Sequence, residues 1–122
     1  MSPAKLSRIE SGTRTVLKLH TAYNRHDIPA ILALLSPDCT LETSFPAPEG
    51  ISIKGLDAIS AHLQDLFTGN PEYKLEIEEI FGQAFHVVMR WQQAGGDAPL
   101  RGVDIFKIHG GQISEWLRYR KG

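Results

Sequence analysis

The chain has one cysteine, Cys39, in 122 residues. An intramolecular disulfide is therefore excluded, and a lone thiol points to a reducing, cytoplasmic location. No stretch approaches the roughly 20 apolar residues of a membrane-spanning helix. The opening segment "MSPAKLSRIESG" has no apolar core of signal-peptide length. Neither sign of charge dominates: the net charge is −1, so no basic field draws nucleic acid. The five histidines show no paired ligand spacing, and no metal is expected. Nucleophile–base constellations and glycine-rich phosphate loops are missing too. "HGGQ" (residues 109–112) reads as a hairpin turn, and no cofactor is implied. Internal repeats and low-complexity tracts are absent.

What is present is an ordinary globular composition, 42% hydrophobic and 22% charged. A chain of this length buries roughly two-thirds of its unfolded surface and needs no staples. One domain over residues 1–122 is expected.

Helical signals fill the first half. Ser2-Pro3 opens a short turn, and Ser11-Gly12 is expected to interrupt it. From Thr13, the apolar residues Val16, Leu19 and Tyr23 recur at helical spacing. Asp27 caps a second helix that tolerates Pro29 in its first turn. Its stripe is Ile28, Ile31, Leu32 and Leu35, and Ser36-Pro37 is expected to end it. Gly55 begins a third helix with Leu56, Ile59, Leu63 and Phe67 on its buried face, and residues 68–71 stop it.

Between and after these helices the period changes to two. In "CTLETSF", Leu41, Thr43 and Phe45 share one side; "PAPEG" is a loop. Tyr73, Leu75 and Ile77 alternate with Lys74, Glu76 and Glu78. Phe85, Val87, Met89 and Trp91 alternate with Ala84, His86, Val88 and Arg90. Gly95-Gly96 marks a turn. "LRGVDIFKI" and "ISEWLRYR" complete a run of antiparallel strands. The fold class is α+β, with the sheet curled around the helices.

Three stretches together, "AYNRHDIPAILALLSPDCTLE", "IKGLDAISAHL" and "GVDIFKIHGGQISEWLRY", resemble the nuclear transport factor 2-like superfamily, in particular its SnoaL-like and ketosteroid isomerase-like members. The resemblance implies a cone-shaped domain: a strongly curved, mainly antiparallel sheet wrapped around the three helices of the N-terminal half. It also implies an apolar interior pocket and a homodimer through the sheet. Fold alone does not assign function in so diverse a family.

The inward-facing residues define the expected site. A loop of two or four residues after Trp91 keeps Asp104 on the face of Phe85, Val87, Met89 and Trp91, with Phe106 beside it. Burial there disfavours the charged carboxylate. By resemblance, Asp104 falls at the oxyanion-hole aspartate of ketosteroid isomerase. The competing reading is an aspartate ion-paired to an arginine or satisfied by backbone donors. Arg118 is that candidate partner. If "HGG" is a three-residue loop with Gly111 left-handed, a bulge brings Trp116, Arg118 and Arg120 to the face of Asp104. A loop of two or four residues instead turns Glu115, Leu117 and Tyr119 inward. The family pattern favours the first register.

Other enzyme residues of the family are missing. Thr43 aligns with the general base of ketosteroid isomerase and Leu19 with its catalytic tyrosine. Neither can do that chemistry unaided. The Arg and Asp set of limonene epoxide hydrolase is also missing. His20 and His62 are candidate proton carriers, since imidazole titrates near neutrality; at the edges of helical stripes they also read as hydrogen-bonded helix residues. His26, His86 and His109 read as turn or outer-sheet positions. The expected pocket is lined by Leu19, Tyr23, Thr43, Phe45, Ile59, Leu63, Val87, Met89, Asp104, Phe106, Trp116 and Arg118. It is expected to take a small apolar or weakly polar molecule. Asp104, His20 and His62 are the catalytic candidates for an isomerase, cyclase or dehydratase acting on a carbonyl compound. The alternatives are a non-catalytic binding or accessory protein and a protein-interaction module using the open sheet.

Overall fold

The computed structural model describes residues 3–83, 85–94 and 100–121, with side chains from residue 11 onward. Helix α1 runs Pro3–Asn24, α2 Ile28–Leu32 and α3 Leu56–Gly69. The strands are β1 Leu35–Thr43, β2 Ile51–Lys54, β3 Lys74–Gln83, β4 His86–Ala94, β5 Arg101–His109 and β6 Gln112–Lys121. They form one open sheet in the order β2-β1-β6-β5-β4-β3. Every neighbouring pair is antiparallel except β1 with β6.

Helix α1 is continuous through Ser11-Gly12, where an interruption was expected. Glycine costs about 1 kcal/mol inside a helix, but Gly12 is buried where α1 crosses Val87 and Ile108. Close packing onto the sheet outweighs the local preference. Val16, Leu19, Ala22 and Tyr23 then bury one stripe of α1. At its end, "NRHD" clamps the start of β3. The Asn24 amide accepts from the Leu75 N–H (2.9 Å) and donates to the Leu75 carbonyl (2.8 Å). His20 Nε2 reaches the same carbonyl at 2.7 Å. His26, at φ 55°, reaches the Tyr73 carbonyl at 2.7 Å and stacks on Phe67 with ring centroids 4.2 Å apart.

Asp27 caps α2 as expected, accepting from the Ala30 N–H at 3.2 Å. The helix stops at Leu32, however, and Leu35-Ser36-Pro37 already belong to β1. Tertiary pairing accounts for the difference, because the Ile113 N–H donates to the Leu34 carbonyl at 2.9 Å and draws the chain alongside β6. The short strand β2, pairing with β1, was not foreseen. Gly55, at φ 94°, precedes α3, whose Ile59, Leu63 and Phe67 are buried.

The connection between β4 and β5 is longer than expected. Gln93 N–H still bonds the Leu100 carbonyl at 2.7 Å; the expected Gly95-Gly96 turn lies outside the described residues. The even spacing preserves the facing: Met89 opposes Asp104 and Val87 opposes Phe106. In the last hairpin the turn is Gly110-Gly111, with φ 58° and 79°, between paired His109 and Gln112. It is a two-residue turn where three residues were expected. A bulge at Ser114, between the Lys107–Glu115 and Ile108–Ile113 pairs, restores the inward register. Trp116 and Arg118 are buried, while Tyr119 is 46% exposed.

Candidate functional site

Asp104 is fully buried on the inner face of β5. Both carboxylate oxygens are saturated by donors from flanking strands. Oδ1 accepts from Trp91 Nε1 (2.9 Å) and Arg118 Nε (2.9 Å). Oδ2 accepts from Trp116 Nε1 (3.0 Å) and Arg118 Nη2 (2.8 Å). The ion-paired arrangement is thus the one adopted, and a carboxylate so engaged is an acceptor only. Helix α1 contributes Tyr23, whose hydroxyl accepts from Arg118 Nη1 at 2.8 Å. The Arg118 guanidinium lies within 5.6 Å of the ring centres of Tyr23, Trp91 and Trp116, a cation–π box inside the fold.

These contacts fix the charges. Burial alone lowers the Arg118 pKa, but the Asp104 carboxylate, with Tyr23 behind it, holds it well above the usual arginine value. Burial pushes the Tyr23 phenol far up, with Arg118 acting in the opposite direction. Both stay protonated near neutral pH.

Gly102, in register with Trp91 and Arg120, makes the arrangement possible. A Cβ there would lie 2.3 Å from Trp91 Cζ2 and 2.6 Å from the Tyr119 carbonyl oxygen. Only glycine lets the indole lie flat across β5 and reach Asp104.

Two small voids flank this centre, each of about 10 Å³, room for one water at most. The first lies under α3, with Tyr23, Leu41, Thr43, His62, Leu63, Leu66, Trp116 and Arg118 around it. The second lies under α1, with Leu19, His20, Leu75, Met89, Asp104 and Phe106 among its walls. Of the expected pocket residues, Ile59 and Val87 are buried but border neither void.

Phe45 departs from the expectation. Strand β1 ends at Thr43, whose Oγ1 bonds the Phe45 carbonyl, so the alternation stops and the chain turns away. Phe45 is 53% exposed and lies under the Arg120 guanidinium, 4.1 Å from ring centre to Cζ. Phe85 is also exposed, at 47%, where Val87, Met89 and Trp91 are buried.

The histidines differ from one another. His20 is engaged by the Leu75 carbonyl. His62 is half-buried on α3 at the first void. Burial, and secondarily the charge of Arg118, lowers its pKa, so its imidazole is neutral at pH 7. Among the described residues no cluster of three His, Cys, Asp or Glu side chains could hold a metal, and no helix is long and apolar enough to cross a membrane. Burial, followed by Asp38 and Glu115, pushes the Cys39 thiol up to about 12. Sequence reasoning missed Trp91 as a ligand of Asp104, and Leu41 and Leu66 as walls. The available signal was that a buried indole N–H needs an acceptor.

Comparison with known proteins agrees with this architecture. The family model for the SnoaL-like domain matches residues 16–116. No curated protein matches the chain. A solved nuclear transport factor 2-like protein of unknown function from Mesorhizobium loti is 27% identical, with a TM-score of 0.82 over 94% of each chain. A protein from Kribbella flavida provisionally called a ketosteroid isomerase has a TM-score of 0.82 at 17% identity, covering 93% of this chain and 80% of that one. A protein from Jannaschia sp. CCS1 provisionally called a SnoaL-like polyketide cyclase also has a TM-score of 0.82 at 17% identity, covering 99% and 90%. At 17% identity these two likenesses concern the fold.

Proposed function

The chain belongs to the SnoaL-like domain family, and from that premise we propose that it binds a small, largely apolar molecule whose oxygen is held by Arg118. One observation carries this reading. A guanidinium has five N–H groups, and three of those on Arg118 are engaged by Asp104 and Tyr23. One N–H on each of Nη1 and Nη2 is left for a ligand oxygen, beside apolar walls. Asp104 is then a positioning residue that fixes the guanidinium plane. Because the voids are small, the ligand makes room by displacing α3 from the sheet. His62, on α3, is the group placed to exchange a proton with a ligand whose carbonyl Arg118 polarises. That chemistry is isomerase-, cyclase- or dehydratase-like, without a metal. The reading includes a cytoplasmic location, in keeping with the single free thiol.

A thermal-shift screen of apolar ketones, polyketides and terpenoids tests the assignment, run on wild type, Arg118→Lys and His62→Trp. Lysine keeps the charge without the planar fork, and tryptophan fills the void under α3. Ligands that stabilise wild type but neither variant support the reading. Equal stabilisation of all three proteins sinks it. Loss of hydrogen exchange next to the ligand carbonyl in His62→Ala assigns the proton step.

A second reading has its own support. The outer face of the sheet carries an apolar row in register across four strands, Phe81–Val88–Ile105–Leu117. It is flanked by the Glu79–Arg90 and Lys107–Glu115 ion pairs. Such a face, over a nearly filled interior, suits a homodimer through the sheet. Sedimentation of Ile105→Glu against wild type tests it: an unchanged mass excludes that interface.

A further inference from the structure

Charge is unevenly shared along the chain. Residues 1–25 carry five cations, Lys5, Arg8, Arg14, Lys18 and Arg25, against one acid, Glu10. The other 97 residues carry eight cations and 13 acids, so a basic helix is mounted on an acidic body in a protein of net charge −1. Arg14 and Lys18 on α1, and Arg25 just past its end, are exposed. Among the described residues none of the three is ion-paired, whereas Arg90, Arg101, Lys107 and Arg118 each have a carboxylate. A face kept only for solubility mixes both signs of charge.

The three cations border a groove of about 350 Å³ between α1 and α2. Thr21, Ala22 and Ala30 give it small walls, and Leu17, 41% exposed, is its one large apolar group. Thr21 donates its hydroxyl hydrogen to the Leu17 carbonyl at 3.1 Å, and Asp27 accepts from the Ala30 N–H. The side-chain donors left in the groove are the cations. At 1.5 Å of rise per residue, Arg14 to Arg25 spans roughly 16 Å. A single carboxylate or phosphate cannot touch both ends, but three turns of a helix can. Small walls let a helix backbone come close, and Leu17 offers it an apolar contact. We propose that this groove docks an acidic amphipathic helix of a partner protein, its carboxylates meeting Arg14, Lys18 and Arg25 and its apolar side chains meeting Leu17. Helix α1 packs on the sheet face of Val87 and Ile108, opposite the Phe81–Val88–Ile105–Leu117 row, so a dimer through the sheet leaves the groove open. The groove shares no side chain with the Arg118 cleft and stands or falls separately from it.

The probe is a fluorescein-labelled, alanine-based helical peptide with glutamates at i, i+4 and i+11 and leucines beside them. Fluorescence anisotropy with the full chain should show saturable binding that weakens as salt is raised. A scrambled peptide of the same composition should bind more weakly, because its acids no longer share one face. Reversing the three charges together, by Arg14→Glu, Lys18→Glu and Arg25→Glu, should weaken binding at least about tenfold. If that variant fails to fold, Arg14→Gln, Lys18→Gln and Arg25→Gln together serve, with about a fivefold loss expected. Leu17→Ala should weaken binding roughly fivefold through the lost apolar contact. No saturable binding overturns the site, as does equal affinity for the scrambled peptide or an affinity unchanged in the charge variant. Two further results would also overturn it. Binding of phosphatidylserine vesicles in preference to the peptide would assign the face to a membrane. A lower sedimentation mass of the charge variant than of wild type would assign it to a second copy of the chain. None of these results bears on the Arg118 screen, which uses uncharged ligands.

Discussion

Replacing Asp104 by asparagine removes a charge and almost no volume. In the native protein its two oxygens accept four hydrogen bonds, two from Arg118 and one from each tryptophan. In Asp104→Asn one oxygen remains, and the new amide sets its own N–H groups against existing donors. Arg118, 8% exposed, becomes a buried cation without a counter-ion. Breaking a buried pair from one side costs about 3–5 kcal/mol, a large part of the roughly 5–15 kcal/mol that holds a native domain. The assay is urea unfolding followed by tryptophan fluorescence. The chain has only two tryptophans, and both bond Asp104, so the probe reports on this centre. Arg118→Met in the Asp104→Leu background should regain part of the loss, because no charge is then buried. The recovery stays incomplete, since the Trp91 and Trp116 N–H groups remain without an acceptor. A loss below about 1 kcal/mol in Asp104→Asn, the worth of an exposed pair, would refute the reasoning.

Gly102→Ala should destabilise by about 2–5 kcal/mol, combining overpacking with a weakened Trp91–Asp104 bond. Calorimetry would show it as a lowered Tm, and an unchanged Tm would mean that the indole has room to retreat. The pKa of His62 lies below its ordinary value of 6.5 in the folded protein. Its unfolded form therefore binds a proton first as pH falls, and stability is lost from about pH 6.5 downward. Urea midpoints across this range should fall less steeply in His62→Gln, and parallel profiles would remove His62 as the cause.

The elements whose side chains repeat regularly were legible in the sequence. The α3 stripe Ile59, Leu63 and Phe67, the alternation Val87, Met89 and Trp91, and the facing of Asp104 all follow from local period. The boundaries that failed depend on distant partners. Leu35 fits a helical stripe, yet β6 draws it into a strand; Gly12 looks like a break until the sheet packs beneath it. Thr43 and Phe45 look equivalent by alternation, but the strand ends between them. The Asp104–Arg118 pair was one of two open readings, because its register depends on a bulge at Ser114 that no residue type announces. The Trp116 donor follows from the same bulge, whereas Trp91 was already on the face of Asp104 by alternation and only its bond to the carboxylate went unread.

The parallel β1–β6 seam carries a consequence for the order of assembly. Strands β3 to β6 follow one another as simple hairpins, whereas β1 must wait for the most distant strand in the chain before it can join the sheet. Thr43 meets Arg118 across that seam, and Tyr23 reaches Arg118 over a separation of 95 residues. Non-local pairings of this kind bear the largest loop-closure cost. The polar centre is therefore a late product of folding, complete only when the two ends of the polypeptide have come together.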